Sequence, residues 1–152
     1  MDKDKSPKLP LTQAERAALR TCKLKLREIH KQDLHDLMRI MDVSEERARY
    51  VKAMAAFQQI PSIGYELACN LTRDLGLYSI EEAVKTSGPE LFDRLEQNLG
   101  VRIDPCVEDQ FRCVIHHANH PGSDKQWFDF TAERKQYRQT HGYPKSRPAP
   151  VK

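Results

Sequence analysis

Helix-start signatures recur along this chain, and no segment alternates apolar and polar residues with the period of two that a half-buried strand requires. Thr12-Gln13-Ala14-Glu15 is a capping-box pattern, Ser44 precedes a run of helical periodicity to Phe57, and Ser79-Ile80-Glu81-Glu82 is a second capping box. Ser87-Gly88-Pro89-Glu90 and Asp104-Pro105 each set a polar cap beside an early proline, which suits a first helical turn. The spacing predicts helices from Thr12, over Asp33 to Met41, from Ser44 to Phe57, and from Gly64 to Leu75 with Gly76 as a left-handed stop. Further helices are expected from Ser87 to Gly100 with Leu91, Leu95 and Leu99 inward, from Cys106 to about Asn119, and over Phe130 to Arg138. The expected fold class is therefore all-α.

With 152 residues, 39% of them hydrophobic, the chain has material for one core. The reading is a single helical domain over 12–140, between a charged, mobile tail at 1–11 and an extended, proline-rich tail at 141–152. The start of the chain holds no apolar run and no later segment has the length of a membrane span, so a cytoplasmic protein without a membrane partner is expected. Cys22, Cys69, Cys106 and Cys113 lack Cys-x-x-Cys spacing and read as reduced thiols.

The segment from Phe57 to Ala83 holds Ile60-Pro61-Ser62-Ile63-Gly64, and it resembles a helix-hairpin-helix. In that motif a tight turn leads into a helix whose first N–H groups and positive dipole end face the same point, which suits a phosphate. The expected DNA phosphate contacts are Ser62, Ile63, Gly64 and Tyr65, reading charge and shape rather than base sequence. Two residues depart from the usual motif: Ser62 stands where a glycine is customary, and Glu66 where a basic residue is. A shift of twenty residues lays Ile40, Val43, Ser44, Glu46, Ala48 and Val51 over Ile60, Ile63, Gly64, Glu66, Ala68 and Leu71, as in a degenerate tandem hairpin.

Charge is distributed unevenly. Lysine plus arginine against aspartate plus glutamate runs 13 to 9 over residues 1–60, 4 to 10 over 61–110, and 8 to 3 over 111–152. A polyanion would be drawn to the flanks and not to the middle segment that carries the hairpin. Arg16, Arg20, Lys23 and Arg27 form a basic stripe at helical spacing beside Leu19, Cys22, Leu26 and Ile29, although the sequence leaves open whether one unbroken helix reaches Ile29. A second basic group, Arg134, Lys135 and Arg138 with Lys145 and Arg147, follows the aromatic run Trp127-Phe128-Asp129-Phe130. Such a mixture fits either base stacking with phosphate contacts or a hydrophobic clasp that pins the C-terminal tail; Trp127, Phe128 and Phe130 suit the clasp.

Nothing points to catalysis. There is no phosphate-binding Gly-x-x-x-x-Gly-Lys, no dinucleotide fingerprint, no His-Glu-x-x-His and no Gly-x-Ser-x-Gly. Gly88-Pro89-Glu90 is similar to the Gly-Pro-Asp segment of helix-hairpin-helix glycosylases, but it sits at a helix start and the chain is too short for a second lobe to enclose a base. Cys106, Cys113, His117 and His120 share a stripe that spans about 21 Å of helix, too far for one ion. No metal and no cofactor are expected.

Phe57-Gln58-Gln59-Ile60-Pro61-Ser62-Ile63-Gly64, Leu91-Phe92-Asp93-Arg94-Leu95, Asp104 through Arg112 and Trp127-Phe128-Asp129-Phe130 together resemble the bacterial pathogenicity-locus helix-hairpin-helix family. Some members carry the label mitomycin-resistance protein. The resemblance spans about Val43 to Arg147 and implies a helix-hairpin-helix fold. By analogy from that fold it implies binding to duplex or branched DNA without sequence preference, and the label implies a part in DNA damage tolerance. The alternative expectation is a helical protein-interaction module whose hairpins are structural only, with a protein partner.

Overall fold

A computed structural model describes residues 4–150; the outermost residues of both expected tails, 1–3 and 151–152, lie outside that range. Among the described residues there is no strand, and the fold is all-α. The helices are α1 (Gln13–Thr21), α2 (Leu34–Met41), α3 (Glu45–Phe57), α4 (Tyr65–Cys69), α5 (Ile80–Ala83), α6 (Gly88–Leu99), α7 (Cys106–Asn119) and α8 (Thr131–His141). Short 3-10 turns cover Leu26–Lys31 and Trp127–Phe130, and α4 continues into a π turn over Asn70–Asp74.

The caps sit where the sequence places them. Thr12 and Glu15 form the reciprocal capping box, and the hydroxyls of Ser44, Ser79 and Ser87 accept from Arg47, Glu82 and Glu90 N–H. Gly76 and Gly100 both take φ of 71°, the left-handed conformation that closes a helix without a Cβ clash. Close approach governs Gly88 instead, because a Cβ there would lie 2.5 Å from Arg112 Cγ, so α6 meets α7 through a bare backbone. Phe57, Phe92 and Phe111 are fully buried at the centre, with α7 packed against α5, α6, α8 and the Trp127–Phe130 turn.

One point that the sequence left open is resolved and two expectations need correction. Helix α1 ends at Thr21, Lys23 is left-handed at φ 56°, and the chain resumes as a 3-10 turn, so no single helix carries the basic stripe. Leu91 and Leu95 are buried but Leu99 is 42% exposed, because the last turn of α6 runs past the edge of the core. Residues 4–11 do not trail away from the body: Pro7 and Leu9 are buried, and the side-chain amides of Gln58 and Gln59 bond the Lys8 and Lys5 backbone on both N–H and C=O at 2.7–3.0 Å. The C-terminal segment is likewise fastened, with the Arg147 guanidinium on Glu96 at 2.8 Å and its plane 3.6 Å from the Tyr143 ring centroid.

Glu15 ties the first cap to α3. Its carboxylate accepts from Thr12 N–H and from Arg47 Nε and Nη2, each at 2.9 Å. The Arg47 hydrogen bond outweighs the cost of burial and holds the Glu15 carboxyl below its ordinary value. A depressed carboxyl contributes stability above its unfolded value and loses it as pH falls through the folded one. Glu15→Gln is therefore expected to cost roughly 1–3 kcal/mol at neutral pH, and its difference from wild type to shrink below about pH 4.5, the unfolded value. Thermal denaturation over a pH series checks this.

Candidate nucleic-acid interface

The turn between α3 and α4 is held rigidly by its own strain-relieving contacts. Ser62 is left-handed at φ 64°, which costs a non-glycine residue about 1–2 kcal/mol. Its hydroxyl donates to Pro61 O at 2.6 Å and accepts from Trp127 N–H at 2.9 Å, which fixes the conformation. Asp42, twenty residues earlier, is also left-handed at φ 56°, and in both turns an extended N-cap follows two residues later, Ser44 and Gly64. The twenty-residue offset read from side chains thus recurs in the backbone at these two positions.

The four turn residues play unequal parts. Ile63 is buried and its N–H is spent on Ile60 O at 3.1 Å. The Ser62 hydroxyl is occupied as described. Gly64 is exposed at the N-cap of α4, and among the described residues no acceptor meets the Gly64 or Tyr65 N–H. A Cβ on Gly64 would meet nothing within 4 Å, so there is open space beside this residue. Glu66 is exposed in the first turn of α4.

Cations reach the turn from the N-terminal strap, which lies about fifty residues away in sequence. Lys5 Nζ donates to Ile60 O at 2.8 Å, and Lys8 Nζ lies 5.1 Å from the Tyr65 ring centroid. Burial pushes the Lys5 ammonium below its ordinary value. Ser6, between them, borders a concavity of about 710 Å³ on whose walls Arg16, Arg20, Lys23 and Arg27 converge with Lys25, above Leu19, Leu24 and Leu26. All five cations are exposed, and the Asp4 carboxyl is held below its ordinary value by its bond to Lys31, with help from Arg27. The broken helix gathers them around a hollow, where an unbroken one would have set them along a line. On the other side of the turn a groove of about 860 Å³ runs past Gln59 and Pro61, with Lys52, Arg49 and His117 on its walls. Neither the strap lysines nor Lys52 was expected from the sequence, since their relation to the turn is entirely long-range.

The C-terminal basic group is engaged inside the protein. Arg134 Nε lies 2.6 Å from Asp109, and Arg138 Nη2 lies 2.9 Å from both Asp93 and Glu108. Glu108 and Asp109 are fully buried in the first turn of α7. Burial disfavours charge on both arginines, but their carboxylate partners prevail and hold the guanidiniums above their ordinary values. Of the five residues in this group, Lys135 and Lys145 remain exposed without an ion pair among the described residues.

Below the turn, Cys113 Sγ sits 3.8 Å from both Pro61 O and Lys125 O, and burial pushes its thiol up to about 11. The histidines of α7 serve structural contacts: His116 Nε2 lies 2.9 Å from Ser123 Oγ, and His117 Nε2 lies 2.7 Å from Lys125 O. Among the described residues no cluster of three or more potential ligands could hold a metal ion, and no helix is long and apolar enough to cross a membrane.

No curated protein and no solved structure matches this chain. A model of the Cdd1 family, described as Pathogenicity locus, matches residues 50–136, from within α3 to within α8. That range takes in the turn, the buried acids of α7 and Arg134, and covers more than half of the chain: the protein belongs to the Pathogenicity locus family.

Proposed function

We propose that this protein binds DNA without sequence preference and without catalysis, holding a backbone phosphate at a helix-hairpin-helix turn. The observation that carries this reading is the pair of amides on Gly64 and Tyr65 without an acceptor among the described residues, with open space beside Gly64 and with Lys5 and Lys8 on neighbouring groups of the turn. The strap connects the turn to the cationic hollow of Arg16, Arg20, Lys23 and Arg27, which supplies the charge that the acidic middle segment lacks. Arg134 and Arg138 have no part in it, being committed to Asp109, Asp93 and Glu108. Lys135 is a peripheral contact. A part in DNA damage tolerance would use such binding to hold damaged or branched DNA.

Binding of this kind releases counterions, so its salt dependence counts the phosphate contacts. With four to six contacts, log K against log salt should fall with a slope of roughly −4 to −5. Fluorescence anisotropy on two duplexes of unrelated sequence should return equal affinities. Replacing Arg20, Lys23 and Arg27 together by Gln should flatten the slope by nearly three. A flat slope in the wild-type chain, or a large difference between the two sequences, contradicts the reading.

A helical protein-interaction module is the second reading. Leu99 and Val101, 42% and 43% exposed on either side of the Gly100 stop, favour it, as does the Glu66 carboxylate beside the Gly64 and Tyr65 amides. DNA affinity that is absent even at low salt would leave this reading in place.

A further inference from the structure

The turn Trp127–Phe130 presents one aromatic ring to solvent for a geometric reason. A 3-10 turn has three residues per revolution, so Trp127 and Phe130 share one side and Phe128 points elsewhere. Phe130 is buried, with its ring 5.3 Å from that of His116, and Trp127 is half-buried. Phe128 is 57% exposed, the most exposed of the large hydrophobic side chains among the described residues. The clasp expected of all three aromatics is thus made by two of them.

Phe128 is also tied to the phosphate turn. Trp127 N–H donates to Ser62 Oγ at 2.9 Å, which places the Phe128 Cα within about 8 Å of that hydroxyl. The Trp127 ring meets the Phe128 ring edge-on, with centroids 5.8 Å apart at 81°, and braces it from one side. The Gln126 N–H bond to Asp129 Oδ2 at 2.8 Å holds the backbone of this turn. Exposed Lys125 precedes it, with Nζ 5.6 Å from the Phe130 ring centroid, and Lys5 and Lys8 lie across the Ser62 turn. An exposed, braced ring beside the proposed phosphate turn, with Lys125 just before it and Asp129 just after it, has the make-up of a platform for an unpaired base. A base within intact duplex is stacked on its neighbours and offers no face to such a ring.

We propose that Phe128 stacks on an unpaired nucleobase whose backbone is held at the Ser62–Gly64 turn, so that the protein takes DNA with a single-stranded end, gap or fork ahead of uninterrupted duplex. This rests on the DNA-binding reading above and names the substrate class for it.

The test uses labelled single strand, blunt duplex and duplex with a single-stranded overhang, titrated with the full chain at one low salt concentration. The wild-type chain should bind the overhang more tightly than the blunt duplex. Phe128→Ala should weaken overhang and single-strand binding about tenfold, the contribution of one stacked base, and leave blunt-duplex binding unchanged. Phe128→Trp should restore the preference. Trp127 is the sole tryptophan of the wild-type chain, so its emission should be quenched by the overhang and not by the blunt duplex. Blunt duplex bound as tightly as overhang, with all affinities unmoved by Phe128→Ala, overturns this inference and leaves general DNA binding intact. Absence of binding to any of the three DNAs overturns both together.

Discussion

Arg134→Ala is expected to lower stability by about 3–5 kcal/mol, because it strips a fully buried carboxylate of its cation. Asp109 would keep only the Thr131 hydroxyl, which donates to it at 2.8 Å. Removing one partner of a buried pair costs more than the pair itself contributes, since the remaining charge cannot return to water. For a chain of this size the loss corresponds to a melting temperature lower by roughly 10 °C or more. The Asp109→Ala/Arg134→Ala double variant should recover much of that loss, giving a coupling of about 2 kcal/mol or more in a double-mutant cycle. Scanning calorimetry on the four proteins decides it. A change of only a degree or two for Arg134→Ala would mean that the guanidinium is available at the surface, and would return it to the list of phosphate contacts.

What was legible in the sequence was local. Thr12, Ser44, Ser79 and Ser87 cap the helices they precede, and Gly76 and Gly100 stop the helices they follow, because each acts within one turn of chain. The burial of these acids was not legible. Glu108 and Asp109 stand in a first helical turn, where carboxylates normally face solvent and favour the dipole; Arg112 is a local partner of Glu108, but Arg134 and Arg138 lie 25 to 30 residues further on. Nor could the spacing show that Lys5 and Lys8 reach the turn between α3 and α4, since Gln58 and Gln59 hold that strap across an interval of 50 to 54 residues. Phe128 was misassigned to the clasp because the turn has a period of three, and four residues are too few to show a period. Whether one helix carries Arg16 to Arg27 was open in the sequence, because the break comes from Lys23 in a left-handed conformation that ordinarily selects glycine or asparagine.

Gly64→Asp would separate the proposed phosphate site from the fold that carries it. Gly64 has φ −107° and ψ −166°, extended backbone that any residue adopts, and its Cβ direction is empty. Aspartate is a favoured N-cap, so its carboxylate would accept from the Glu66 or Leu67 N–H and leave stability unchanged or raised by a few tenths of a kcal/mol. The same carboxylate would occupy the place of the phosphate. Losing charge-assisted hydrogen bonds from two amides, and adding repulsion, should weaken DNA binding roughly ten- to hundred-fold. Few substitutions divide stability and affinity so cleanly, because most changes at a tight turn disturb both.

The deciding measurement is fluorescence anisotropy of wild-type and Gly64→Asp chains on the same overhang DNA at low salt, with melting temperatures recorded for both. Affinity lost in a variant that melts at or above the wild-type temperature is the predicted result. Equal affinity in an equally stable variant would contradict a phosphate held at the Gly64 turn.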